Sequence, residues 1–169
     1  MSRRRLAVAA VALAAAVLPV SASAKVPQET IWLVSGKHKT KVTEAQLDRI
    51  VDRSSAKQLR GVVIVVTLGT QTKRGSALGY KQFRIRAAQN VALSDVRALT
   101  ADVEQWNADH RGYAGMTLAG LEHYDPVITK TGDRIVRATR TSYCIESTTR
   151  GETAFKDGPS ATIALGRCS

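Results

Sequence analysis

Between residues 81 and 108 the apolar positions Ile85, Ala88, Ala92, Val96, Leu99, Val103 and Trp106 recur at steps of three or four. That spacing lays them along one stripe of an α-helix. Neither Gly nor Pro interrupts the run, which predicts a helix roughly 40 Å long. Its opposite face, with Arg86, Asn90, Arg97 and Glu104, suits solvent. Upstream the periods are shorter. Residues 30–34 read as a strand and 36–41 as a turn; Thr43 and Gln46 then make a capping-box pair for a helix with Leu47, Ile50 and Val51 on one face, ending near Ser54 and Ser55. Gly61 opens a β-branched run, 62–66, that predicts a buried strand, and 70–79 reads as a polar linker. Downstream, Arg111 and Gly112 break the long helix, Thr117 caps a short turn through Leu121, and Asp125-Pro126 ends it. Three extended segments follow, at 134–148, 152–155 and 162–165, separated by Gly-containing turns. Strands packed on a long helix predict an α+β fold. No internal repeat is present.

The head of the chain has a different pattern. Arg3, Arg4 and Arg5 precede an apolar run, 6–20, that ends at Ser21-Ala22-Ser23-Ala24. A basic start, a short apolar core and small residues at the end make a secretory signal, residues 1–24, with a mature product from Lys25. The run is shorter than the about 20 residues that span a bilayer, so no stable transmembrane anchor is expected. The arginines fit both general and twin-arginine export. The predicted location is secreted or at the cell surface.

Charge sharpens this picture. The chain carries +11, and loss of the three leader arginines leaves +8. Residues 25–90 hold 13 Lys/Arg against four Asp/Glu, whereas 91–169 hold nine against ten. The basic half would attract a polyanion such as DNA or a cell-wall polymer through a salt-sensitive field. The candidate residues are Lys37, Lys39, Lys41, Lys73, Arg74, Lys81, Arg84 and Arg86. The two cysteines, Cys144 and Cys168, form an even pair in a chain read as exported, which favours a disulfide.

Catalytic patterns are missing. His38, His110 and His123 are scattered, and no zinc-protease, nucleophile-elbow or phosphate-loop motif occurs. Asp102 and Glu104, two apart on a helix, point to different faces, and Glu146 reads as a sheet-surface residue. Trp106, Tyr143 and Phe155 read as core or sheet packing. Tyr80, Lys81, Phe83, Arg84 and Arg86 are the nearest approach to a stacking platform for single-stranded nucleic acid. The expectation is a non-enzyme with no cofactor and no metal site.

The order of parts from residue 79 onward resembles the soluble region of bacterial type IV pilins and type II secretion pseudopilins. The text that carries it is Gly79-Tyr80-Lys81-Gln82, Arg86-Ala87-Ala88-Gln89-Asn90, Trp106-Asn107-Ala108-Asp109, Gly112-Tyr113-Ala114-Gly115, Ser142-Tyr143-Cys144-Ile145-Glu146, Phe155-Lys156-Asp157-Gly158-Pro159 and Gly166-Arg167-Cys168. The resemblance implies a long N-terminal helix packed on a small antiparallel sheet closed by a C-terminal disulfide. Pilin subunits also carry a Gly cleavage site, a Glu five residues later and an apolar membrane helix. Gly61 and Val62 echo the cleavage site, but Val66 stands where that Glu would be, and the apolar run stops by Leu68. The chain thus divides into a signal (1–24), a basic β-α-β-like extension (25–78) and a pilin-like domain (79–169). The implied function is structural or adhesive, with pilus or secretion-system components as partners. A polyanion-binding module and a small secreted enzyme or inhibitor are the alternatives.

Overall fold

A computed structural model describes residues 29–128 and 132–169. The predicted signal, residues 1–24, and the predicted mature start at Lys25 lie outside them. The described chain is α+β, with two four-stranded antiparallel sheets arranged along one long helix.

The first sheet is built from β1 (Glu29–Ser35), β2 (His38–Val42), β3 (Val62–Leu68) and β4 (Gln71–Ser76), in the order β2-β1-β3-β4. Two segments read from sequence as turn and linker are therefore strands. Both are edge strands, and β4 is exposed at every residue. Their Lys and Arg side chains suit an edge that must not pair with another chain, but they give no hydrophobic alternation to read. The run at 62–66 is a strand as expected, yet only Ile64 in it is buried, because among the described residues just one face of this sheet packs into an apolar cluster.

That cover is α1 (Glu44–Arg53) and α2 (Ala56–Leu59). The Thr43 hydroxyl accepts from the Gln46 amide at 3.2 Å, and the Gln46 side chain accepts from the Thr43 amide at 2.8 Å. Ser55 and Gln58 repeat the device at the start of α2. Leu47, Val51 and Leu59 then pack on Ile31, Val42, Ile64 and Ala77.

Ser76 ends β4 and caps α3 (Ala77–His110), its hydroxyl accepting from the Gly79 amide at 2.9 Å. With 34 residues, α3 is about 51 Å long, longer than the sequence suggests because no linker separates it from β4. Ala88, Ala92, Val96, Leu99 and Val103 are buried along one stripe, as the spacing requires. Ile85 is exposed, lining a cleft beside α1.

The stripe packs on the second sheet, β5 (Asp133–Ala138), β6 (Tyr143–Thr149), β7 (Glu152–Asp157) and β8 (Ala164–Leu165), a meander in that order. The single segment expected at 134–148 is two strands, because Thr139 and Ser142 close a turn: the Thr139 amide donates to the Ser142 carbonyl at 2.8 Å and the Ser142 amide to the Thr139 hydroxyl at 3.0 Å. Cys144 therefore sits in the second strand of the sheet, β6. Tyr143 and Ile145 join the core with α3, while Cys144, facing the other way, is bonded to Cys168 of the C-terminal tail with Cα atoms 6.1 Å apart. The short helix α4 (Leu118–Leu121), capped by Thr117, closes the end of this core through Leu121. No described helix is long and apolar enough to cross a membrane.

Candidate functional site

The register of the first sheet sorts the basic residues. Ile31, Leu33, Val62, Ile64 and Val66 project toward α1 and α2, so their neighbours Trp32, Val34, Val63 and Val65 project from the opposite face. None of these four belongs to either apolar cluster. Trp32 pairs with Lys41 on one side and Val65 on the other, and Val65 pairs with Arg74. A row crossing all four strands thus reads Lys41, Trp32, Val65, Arg74. The next row is Lys39, Val34, Val63, Ser76. Lys39 Nζ lies over the Trp32 ring, 4.3 Å from its centroid. Strand positions on this face include no acid, since Glu29 falls on the helix side.

Three of the eight candidate cations, Lys39, Lys41 and Arg74, therefore share one face. Lys37 lies in the adjoining β1–β2 turn, and Lys73 is exposed on β4 but projects to the helix side. Arg86 is exposed on α3 and is not part of the sheet.

Lys81 and Arg84 are used internally. Lys81 Nζ donates to the Asp52 and Ser54 carbonyls at 3.3 and 2.5 Å, capping the C-terminal end of α1, where a cation complements the helix dipole. Arg84 is ion-paired with Asp48 and, at 2.9 Å, with Asp52. Tyr80 donates to Asp48 at 2.9 Å, and burial is the first cause of its raised pKa, with Glu44 next. Tyr80, Lys81 and Arg84 of the stretch that looked nearest to a stacking platform are thus part of an acid-lined bracket between α1 and α3, while Phe83 and Arg86 stand exposed outside it.

The second sheet places its polar groups in closed arrangements. Glu146, expected on the surface, is buried: one oxygen accepts from the Cys168 amide at 2.7 Å and the other from Arg134 Nη2 at 2.8 Å. The tail carrying Cys168 covers it, a contact no local pattern announces. Glu104 accepts from the Tyr113 and Tyr143 hydroxyls at 3.0 and 3.1 Å. Burial, then these bonds to a carboxylate, push both phenols above their ordinary pKa. The Lys156 ammonium is buried against the Pro159 and Ala161 carbonyls. His110 stacks on Trp106 and its Nδ1 lies 3.1 Å from the Trp106 carbonyl, a helix-end role matching its sequence position.

Asp95, Asp102, Asp125 and Asp133 line a cavity of about 140 Å³ beside Leu99. Burial, then the nearby carboxylates, raise the pKa of Asp102; burial and Asp133 do the same for Asp95, against hydrogen bonds from Thr149 and Ser147. Among the described residues no three His, Cys, Asp or Glu side chains are grouped to hold a metal ion.

Comparison with known proteins gives no match to a family model, a curated protein or a solved structure.

Proposed function

We propose that this chain is an exported, non-enzymatic structural or adhesive protein with a pilin-like domain at 79–169. The observation that supports it is a single arrangement: α3 laid along an antiparallel meander whose strand β6 is tied to the C-terminal tail by Cys144–Cys168. A disulfide also suits an oxidising compartment. Residues 57–66, which echo a pilin cleavage site, form α2, a turn at Gly61 and strand β3. Among the described residues no helix after that turn is long and apolar enough to cross a membrane, and on this reading association with pilus or secretion-system components would rest on surface contacts. The test is the N-terminus and cell fraction of the native product. A mature chain from about Lys25 in the surface or shear-released fraction supports the proposal; a cytoplasmic product retaining its leader overturns it.

A second reading has its own support. Lys39, Lys41 and Arg74 converge on one acid-free face, which favours an exported module that binds DNA or a cell-wall polyanion through phosphate contacts and counterion release. A salt titration of polyanion binding tests it, with no binding at low salt as the failing result.

A further inference from the structure

The open face of the first sheet is more specific than a basic patch. Its central row sets an indole and an aliphatic side chain between two cations, Lys41 and Arg74, at opposite edges. Those edges are about 14 Å apart, given the usual strand spacing. Resting on the second reading above, we infer that this face binds single-stranded nucleic acid, with a base stacked on Trp32 and backbone phosphates held by Lys39, Lys41 and Arg74.

The chemistry of the row selects this occupant. A polyanion without rings would use the three cations but leave the Trp32–Val65 strip unsatisfied. A single strand running across the sheet meets charge, ring and charge in order, and its bases are free to stack because they are not paired. The Lys39 ammonium already occupies the place over the Trp32 ring that a base would take. On binding it moves a short way, exchanging a cation–π contact for a phosphate. A duplex keeps its bases inside, and this flat face offers neither a helix nor a ribbon to enter a groove. A membrane surface fits poorly, since insertion needs protruding apolar side chains. Trp32, Val34, Val63 and Val65 are all half-buried, and the one strongly exposed large apolar residue of this sheet, Leu68, is at a strand end.

The test uses the full mature chain with its disulfide intact and a labelled oligothymidylate of about ten nucleotides, read by fluorescence anisotropy. The wild type should bind it more tightly than duplex DNA of equal charge, with a log–log salt slope of about −2 for three phosphate contacts on a single strand. Trp32→Ala should weaken oligothymidylate binding at least about fivefold, the lower end of base–aromatic stacking. Trp32→Phe should restore most of it, and neither change should alter binding of inorganic polyphosphate. Lys39→Gln with Lys41→Gln, both exposed and away from any core, should flatten the slope without unfolding the sheet. Equal binding by wild type and Trp32→Ala, with polyphosphate bound as well as the oligonucleotide, would overturn the inference and leave the cationic surface standing. Tighter binding to phosphatidylglycerol vesicles than to the oligonucleotide would overturn it in favour of a membrane. No binding of any polyanion at low salt would remove the second reading along with it.

Discussion

Replacing Cys168 by Ser should cost more than any single surface change in the molecule. The bond joins residues 24 apart, a closed ring of 25 residues. Its loss returns about 3.5 kcal/mol of chain entropy to the unfolded state in the loop-closure treatment. Locally, the tail also carries the Cys168 amide that bonds the buried Glu146 carboxylate at 2.7 Å, and charge-assisted bonds of this type contribute about 1.5–3 kcal/mol. The two terms are not additive, since Glu146 keeps Arg134, and part of the tail can stay in place. A net loss of about 3–5 kcal/mol is expected. Urea unfolding followed by circular dichroism reads it as a fall in midpoint, with a slope that rises somewhat because the unlinked denatured chain is less compact and exposes more surface. Native-state hydrogen exchange adds position: protection should drop in β6 and β7, whereas β1 and β3, which have their own apolar cluster with α1, should keep theirs. A loss below about 1 kcal/mol would refute the reasoning. So would an equal loss of protection in both sheets, which would mean that they unfold as one unit.

Leu99, buried on the α3 stripe, should lose about 3 kcal/mol on change to Ala, while exposed Arg97 changed to Ala should stay within about 0.5 kcal/mol; thermal melts of the pair check the phasing of the helix. Asp102→Asn should raise the melting temperature at neutral pH and leave it nearly unchanged near about pH 3. The folded pKa of Asp102 is raised, so the unfolded chain ionises first. Stability therefore falls as pH rises from the ordinary carboxylate pKa through the raised one, and the amide removes that loss. Arg84→Ala should destabilise by about 1–2 kcal/mol by releasing α1 from α3, and a double-mutant cycle with Asp48→Ala should return a coupling above about 0.5 kcal/mol.

How much was legible in the sequence follows from where each residue's partners lie. The α3 stripe and the Thr43–Gln46 cap were readable because their partners lie three or four residues away. The edge strands β2 and β4 were not, since β4 is exposed throughout and β2 everywhere but Val42, which leaves no apolar alternation, and each owes its conformation to the ladder on its neighbour. The turn at 139–142 hid because Thr and Ser side chains close it without Gly or Pro. Charge counting found the basic half but could not see that Arg84 answers Asp48 and Asp52 on another helix. The opposite error attaches to Trp32. It is the only aromatic in its stretch of sequence, and the cations beside it come from β2 and β4, so their grouping exists only once the strands are paired.

The same placement bears on how such a protein would meet a partner. On the proposed pilin-like reading the first half of the long helix is the part that would join a membrane or a filament core, and here its first turns are held against α1. Lys81 caps that helix, Arg84 is ion-paired to it, and Tyr80 is hydrogen-bonded to its Asp48. Drawing α3 away would break these contacts and expose Ala77 and the cluster beneath it. The cost of that rearrangement falls on the same residues that gave the basic half its apparent surplus, which argues that α3 stays docked. On the readings proposed above, contacts with a partner would pass through surfaces already formed: the Trp32 face at one end, and at the other the disulfide-closed sheet, whose tail is held by Cys144 and Glu146. α3 is continuous between them and contains neither Gly nor Pro from residue 80 to its end at 110.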